Sequence, residues 1–319
     1  GNISITNNGN ITTFGDGSYG VVAQSIAGGG GRATANINEG TLSLGGSGGA
    51  GGTSGTVNLL NTGNISTYGI SSIPVYLNSV GAGGGDVQSG FGDATLGSNG
   101  ATGQSGLTKL INTGTLLSND AFSPAILQQA IGGGGGSADS ANGTVVLGSS
   151  NATGLQSALG MSLLNEGSLI TLAQYSPAIF TQSIGGGGGR IAQTSGGDVT
   201  IGSSDASTSA DLSGGAIDIQ SVGVKLVTKG DYSQALSAQS IGGGGGWVGP
   251  VEGNLILGAQ NSTASMDSGS ITVINRSLIS TSGNASPGIS LQSIGGGGAY
   301  TGEVEGSAQL GSISSSGSQ

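Results

Sequence analysis

Glycine runs are the segments of this chain whose composition most directly suggests chemistry. Examples are Gly132–Gly136, Gly185–Gly189 and Gly242–Gly246. Backbone N–H groups in glycine-rich loops bind phosphates and other anions. A phosphate-binding loop also needs a Lys followed by Ser or Thr, and a dinucleotide site needs a helix after the glycines. Neither feature follows these runs, so we interpret them as structural glycines that turn and pack closely, and we expect no cofactor.

Acidic residues near the runs raise the possibilities of a calcium site and of a glycoside-cleaving site. Calcium-binding β-rolls place an aspartate in nearly every turn, whereas Asp86, Asp139 and Asp198 follow their runs at different distances. Polysaccharide lyases and hydrolases need clustered carboxylates, often with a basic residue. Glu303 and Glu305 are merely close in sequence. The basic residues form no group that reaches an acidic cluster; they are Arg32, Lys109, Arg190, Lys225, Lys229 and Arg276. We therefore predict solvated carboxylates, with no catalytic and no metal-binding residue.

The single tryptophan, Trp247, directly follows a glycine run. In the other repeats we align this position with Arg190, Asp86, Ser137 or Ala299. An aromatic side chain beside a glycine-rich surface suits a contact hot spot. The simpler interpretation, which we favour, is that Trp247 caps a turn.

Composition excludes several functional classes. Glycine supplies 71 of 319 residues, only 7% of residues are charged, and there is no histidine and no cysteine. Histidine-dependent triads, thiol nucleophiles, His or Cys metal sites and disulfides are thereby excluded. A net charge of −10 argues against nucleic-acid binding. The apolar runs are too short to span a bilayer, and the first residues do not resemble a signal peptide.

A repeated strand-like motif organises the whole chain. Its final residue recurs at intervals of 54, 51, 53, 57 and 53 positions. The six copies are Gln24-Ser25-Ile26, Asn78-Ser79-Val80, Gln129-Ala130-Ile131, Gln182-Ser183-Ile184, Gln239-Ser240-Ile241 and Gln292-Ser293-Ile294. Each precedes a glycine-rich run. The chain is therefore six copies of a unit of about 53 residues, near the period of known repeat arrays.

Further markers keep the same period. An aliphatic–glycine pair occurs at Leu44-Gly45, Leu96-Gly97, Leu147-Gly148, Ile201-Gly202, Leu257-Gly258 and Leu310-Gly311. An asparagine turn begins at Asn61, Asn112 and Asn165, less perfectly at Asn7 and Asn275, and we assign Thr228 to its place in the fifth copy. Prolines precede the motif strand at Pro74, Pro124, Pro177 and Pro287.

Short alternating segments such as Thr41–Leu44 and Val21–Ile26 predict strands, and no stretch carries a helical stripe. We predict an all-β parallel β-helix, or β-solenoid, as one continuous array over residues 1–319. Two or three coils of about 20–25 residues in each repeat would give about 13–16 coils and a rod about 60–75 Å long. Asparagines stacked at the turn would hydrogen-bond from coil to coil. Neither Gly1 nor Gln319 lies in a recognisable cap, so we expect the array to continue in both directions.

The QSIGGGGG strings, the variable loop after them, the Leu-Gly pair and the Asn-x-Gly turn together resemble the repeat region of bacterial autotransporter passengers. The resemblance covers all six units. It implies type V secretion and an extended β-solenoid on the cell surface, held in the outer membrane by a C-terminal barrel outside this sequence. Members often serve adhesion, self-aggregation, biofilm formation or virulence. The absence of cysteine suits export through an oxidising periplasm.

Function is therefore expected to be non-enzymatic. The first hypothesis is an extracellular adhesin or self-associating rod, whose partner is a second copy or a cell-surface or matrix ligand, with no nucleic acid and no membrane insertion. Many weak contacts along a repeated face would add up through avidity. The alternative is a passive stalk that presents a distal domain. A polysaccharide-active β-helix enzyme is the third hypothesis.

Overall fold

Alternating apolar and polar segments form thirty parallel strands and no helix in the computed structural model, which describes residues 1–34, 37–45, 51–88, 91–97, 99–100 and 102–313. The predicted all-β solenoid of six repeats is confirmed. The predicted array also included residues up to Gln319, and 314–319 lie outside the described residues. Each repeat contributes five strands, and the five strands of one repeat form one coil.

The strands have the following bounds. Coil 1 contains β1 (Ile3–Asn7), β2 (Ile11–Phe14), β3 (Val21–Ile26), β4 (Gly30–Ala33) and β5 (Ile37–Leu44). Coil 2 contains β6 (Val57–Asn61), β7 (Ile65–Tyr68), β8 (Val75–Val80), β9 (Gly84–Val87) and β10 (Phe91–Leu96). Coil 3 contains β11 (Thr108–Asn112), β12 (Leu116–Ser118), β13 (Ile126–Ile131), β14 (Gly135–Ala141) and β15 (Val145–Leu147). Coil 4 contains β16 (Met161–Asn165), β17 (Leu169–Thr171), β18 (Ile179–Ile184), β19 (Gly188–Thr194) and β20 (Val199–Ile201). Coil 5 contains β21 (Ile217–Ser221), β22 (Lys225–Thr228), β23 (Leu236–Ile241), β24 (Gly245–Val248) and β25 (Leu255–Leu257). Coil 6 contains β26 (Ile271–Asn275), β27 (Leu278–Thr281), β28 (Ile289–Ile294), β29 (Gly298–Thr301) and β30 (Ala308–Leu310).

Each strand pairs in parallel with the equivalent strand of the next repeat, which produces five ladders of six strands. Ladder 1 contains β1 and its equivalents, and ladders 2 to 5 contain β2, β3, β4 and β5 with theirs; ladders 4 and 5 join in one twelve-stranded sheet. The registers expected from the repeated motif and from the Leu-Gly pair are confirmed, for example Ile131 with Ile184 and Leu96 with Leu147.

The expectation of several coils in each repeat is wrong. Hydrogen-bonded neighbours such as Val21 and Val75 lie one whole repeat apart, so one repeat makes one coil. Six coils at about 4.8 Å each give a stack about 29 Å tall rather than a long thin rod. The physical reason is that each marker occurs once in each repeat, and like residues stack only when the coil and the repeat have the same length.

The large coil is possible because the chain folds back on itself within each repeat. Ladders 1, 2 and 3 surround an aliphatic core that includes Leu59, Ile65 and Leu77. Ladder 4 then packs on the outer side of ladder 3, with Phe180 and Trp247 between them. Ladder 5 packs on the other side of ladder 4 through a second aliphatic core. Ladders 3 and 4 are thus buried on both faces through the middle of the stack.

Two columns of amide side chains run through this interior. Asn7, Asn61 and Asn112 each donate from Nδ2 to Oδ1 of the next asparagine, at 2.7, 2.7 and 2.8 Å, and the last acceptor is Asn165. The predicted asparagine ladder is therefore confirmed. The assignment of Thr228 to it is wrong, because Ser221 pairs with Asn165, whereas Thr228 lies in ladder 2.

The second column follows the glutamines of the repeated motif. Gln129, Gln182 and Gln239 each donate from Nε2 to Oε1 of the next glutamine at 2.8 Å. Asn78 is too short to continue this chain directly. Its Nδ2 donates to the Tyr76 hydroxyl at 2.8 Å, and that hydroxyl donates to Gln129 Oε1 at 3.0 Å. The tyrosine thus restores the connection in the repeat that lacks a glutamine.

Candidate functional site: a buried charge cluster and an exposed aliphatic face

The glycine runs lie where ladder 3 turns into ladder 4, and they allow neighbouring coils to approach closely. A Cβ built on Gly189 would lie 1.8 Å from the carbonyl oxygen of Gly136, and a Cβ on Gly136 would lie 1.8 Å from that of Gly85. Both glycines also have positive φ, at 139° and 138°. These contacts support the structural interpretation of the runs.

The position after the glycine run in the first five coils, and the position one residue further on in the sixth, form one column on ladder 4. Its members, in order of coil, are Arg32, Asp86, Ser137, Arg190, Trp247 and Tyr300. The sequence alignment placed Ala299 in this column, which is wrong, because Ala299 pairs with Gly246 and Tyr300 pairs with Trp247. The column faces ladder 3, so charged and aromatic side chains meet inside the fold.

Two ion pairs connect neighbouring coils within this interior. Arg190 Nη1 lies 2.9 Å from Asp139 Oδ1, and the two side chains are only 1% and 2% exposed. Arg32 Nε lies 3.2 Å from Asp86 Oδ2, with Asp86 wholly buried and Arg32 31% exposed. Tyr19 donates its hydroxyl to Asp139 Oδ2 at 2.9 Å. Because these five residues lie together, we call them the buried charge cluster.

The cluster corrects two expectations. Asp86 and Asp139 are not solvated, although Asp198 is exposed and accepts hydrogen bonds from Asn254. Basic residues do reach the acidic residues, through Arg32 and Arg190. Sequence reasoning missed the cluster because the partners in each ion pair, and in the Tyr19–Asp139 hydrogen bond, lie about one repeat or more apart. The detectable signal was that Arg32, Asp86 and Arg190 each directly follow a glycine run.

Burial controls the protonation of the cluster. Desolvation raises the pKa of Asp86 well above its ordinary value, and the nearby Asp139 carboxylate raises it further, against the opposing effect of Arg32. Desolvation also raises the pKa of Asp139, although Arg190 and the Tyr19 hydrogen bond oppose the change. Perturbed carboxyl groups are common in active sites. Here the carboxyl oxygens are enclosed, so the cluster lacks the access that catalysis requires.

Trp247 does not fit either expectation. It lies within β24 rather than in a turn, and it is only 1% exposed, so it is not a surface hot spot. Its ring stacks on Tyr300 at 6.1 Å between centroids and contacts Phe180 edge-on at 5.9 Å. The Arg190 guanidinium lies 5.6 Å from its ring centroid. Trp247 therefore packs the space between ladders 3 and 4 and covers the buried arginine.

A polar groove of about 350 Å³ runs along the stack beside ladder 5. It is lined by hydroxyl, amide and glycine positions, among them Thr95, Thr200, Ser150 and Gln260. No lining residue is charged. The buried lining hydroxyls are already used internally, since Ser149 accepts from Gln156 and Ser203 donates to the Gly186 carbonyl. The groove, which Val146 also lines, therefore presents an uncharged surface without a concentrated binding group.

The outward side of ladder 1 has a different character. Leu60, Ile111 and Leu164 stack directly on one another, and the same column continues through Gln220 to Ile274. Leu60 is 38% exposed and Ile274 is 43% exposed. Leu107, 49% exposed, precedes β11 on this side. We call Leu60, Leu107, Ile111, Leu164 and Ile274 the aliphatic face.

A polar column runs beside the aliphatic face, two residues earlier on each strand. In coil order it contains Ser4, Asn58, Lys109, Ser162, Asp218 and Thr272. Lys109 and Asp218 are both exposed and lie one coil to either side of Ser162. The surface thus combines an aliphatic column with one cation and one anion placed symmetrically about coil 4.

Across the described ranges, no group of three or more acidic side chains is arranged to hold a metal ion. Glu303 and Glu305 are exposed near the last coil. Comparisons with protein-family models, with curated proteins and with solved structures find no match to this chain. Among the residues that the structure describes, no helix is long and apolar enough to cross a membrane.

Proposed function

We propose that this chain is a non-enzymatic segment of an extracellular rod that binds through a repeated side face, as an adhesin or by self-association. The observation that carries the proposal is the aliphatic face. Leu60, Ile111 and Leu164 lie outward on strands whose inward positions already fill a complete core. Leu60 is exposed and Ile111 and Leu164 are half-buried, so the column forms a contiguous apolar surface of the kind that is typical of an interaction site.

The charge distribution supports a non-enzymatic role. Acid–base catalysis of glycoside cleavage requires two carboxyl groups that reach the substrate. The closest arrangement of acidic and basic groups is the buried charge cluster, where Asp86 and Asp139 are 0% and 2% exposed. The neutral lining of the polar groove likewise provides no acid or base.

Location on a bacterial surface is part of the same proposal. It is supported by the resemblance of the repeated motif to autotransporter passengers and by the absence of cysteine, which avoids unwanted disulfides during export. Low charge and a continuous hydrogen-bonded core suit a rod exposed to proteases.

The second candidate is a passive stalk. It is favoured by the uninterrupted ladders, in which every coil is hydrogen-bonded to the next along five strands. Such a stack supplies length and stiffness without needing any ligand. The stalk hypothesis predicts no binding by the side faces, and that difference allows a direct test.

The test is a settling assay with cells that display this chain, mixed with differently labelled cells that do not. Clumps of displaying cells alone would indicate self-association, and mixed clumps would indicate a ligand on both cell types. The matched control displays Leu60→Thr, Ile111→Thr and Leu164→Thr together, which removes the apolar column but places β-branched residues, which favour strands, at all three positions. If the unmodified chain produces no clumps, the stalk is the better account.

A further inference from the structure

We propose that the aliphatic face binds a second copy of this chain with the coils in reverse order, coil 4 against coil 4. This inference rests on the proposed self-association and names its surface and register. Two identical surfaces that bind each other form a closed pair when a twofold axis relates them. Here the axis lies in the interface and runs parallel to the ladder 1 strands of coil 4.

The order of residues along ladder 1 selects this arrangement. Because Lys109 and Asp218 lie one coil before and one coil after Ser162, reversal about coil 4 places Lys109 of one copy opposite Asp218 of the other. The contact occurs twice in the pair. In the neighbouring column, the same operation places Leu164 opposite Leu164 and Leu60 opposite Ile274. Ile111 lies opposite Gln220, so three of the five facing pairs in this column are apolar on both sides, and each charge meets its opposite.

Other face-to-face arrangements lose this complementarity. Turning one copy face to face with the other must reverse either the order of the coils or the direction of the strands, so the competing aligned arrangement keeps the order of the coils and reverses the strands. With the coils in the same order but the strands reversed, Lys109 would face Ile111, because these residues hold mirror-related positions on β11. A charge held against an aliphatic side chain loses its water without gaining a partner, so the reversed order is the specific one.

The size of the surface predicts a weak interface. Five overlapping coils at about 4.8 Å and five residues at about 3.3 Å cover about 24 by 17 Å, or about 400 Å² on each copy. Stable complexes usually bury at least about 1,200 Å² in total. A single pair of chains should therefore associate reversibly, and an array of such surfaces on two cells would bind through avidity.

The test uses Lys109→Glu and Asp218→Lys in the purified chain, studied by sedimentation equilibrium over a concentration series. Each variant alone faces like charges in the pair, so we expect its self-association to weaken at least about tenfold. An equimolar mixture of the two variants restores both opposite-charge contacts, and we expect it to associate as tightly as the unmodified chain. Lys229→Glu, an exposed change outside ladder 1, is the matched control and should have no effect.

Both substituted residues are exposed, and unchanged circular dichroism and thermal unfolding would confirm that the variants fold. The inference is overturned if the unmodified chain stays monomeric, if both single variants associate normally, or if their mixture fails to recover. Clumping of displaying cells together with normal association of both variants would refute this surface but leave the proposed self-association standing. Absence of clumping by the unmodified chain would refute the proposed function itself.

Discussion

The buried ion pair between Arg190 and Asp139 gives the sharpest test of the interior. Arg190→Met keeps much of the side-chain length but removes the counter-charge of an enclosed carboxylate. Removing one partner of a buried pair typically costs about 3–5 kcal/mol, because the remaining charge is left without compensation. The 2.9 Å separation and the exposures of 1% and 2% place this pair in that class rather than among weak surface pairs.

The assay is urea unfolding followed by circular dichroism, repeated at several pH values. Arg190 opposes the upward shift of the Asp139 pKa, so its removal raises that pKa further. The loss of stability should therefore be largest at neutral pH and shrink as acid protonates Asp139. Asp139→Asn with Arg190→Met should recover most of the loss, because the amide oxygen still accepts from Tyr19. A loss below about 1 kcal/mol in the single variant, or no recovery in the double variant, would refute the reasoning.

Three further predictions concern the columns of the stack. Gly189→Ala should cost about 3 kcal/mol in urea unfolding, because the new Cβ would lie 1.8 Å from the Gly136 carbonyl oxygen. Asp86→Asn should flatten the pH dependence of unfolding. The folded-state pKa of Asp86 is raised, so the native protein binds the carboxyl proton of Asp86 more tightly than the unfolded chain does. Stability therefore falls as pH rises from the unfolded-state pKa through the folded-state pKa. An unchanged pH profile in the variant would contradict this prediction. Asn112→Ala should cost about 2 kcal/mol, because it removes the donor to Asn165 Oδ1 and one of the two acceptors of Asn61 Nδ2, which keeps only the Gly63 carbonyl. Unchanged stability would show that the ladder contributes little.

The repeated markers were sufficient to predict the register of the fold. Ile131 and Ile184 pair as expected because stacked coils repeat the same environment at each position. The number of coils was also implied, since a coil of 20–25 residues would place unlike residues above one another. The prediction failed because a usual coil length was assumed. The sequence did not reveal that ladder 4 folds back over ladder 3. The motif strand has the same pattern of apolar and polar residues whether one of its faces is buried or both.

The candidate surfaces were harder to predict for the same reason. Whether Asp86 is solvated depends on ladder 4 packing against ladder 3, a tertiary relation that local pattern does not contain. The aliphatic face was hard to recognise because its column is not apolar in every coil. Leu60 and Ile111 occupy the strand position that Thr6 holds in the first coil. An apolar residue at an outward strand position is recognisable only after the inward column is known. The charged residues that fix the proposed register, Lys109 and Asp218, carry no motif of their own.

The buried ion pairs also address a difficulty that every array of near-identical coils has. Aliphatic, glycine and amide columns are alike from coil to coil, so they discriminate poorly against pairing that skips a coil. In the column that follows the glycine runs, neighbouring coils always carry different residues, and only Arg32 and Arg190 are alike. If coil 3 paired with coil 5, the indole of Trp247 would take the place of Arg190, and Asp139 would lose its counter-charge. An unpaired buried carboxylate is costly, whereas the repetitive columns would lose little. The charges therefore contribute more to the order of the coils than to the net stability of the stack.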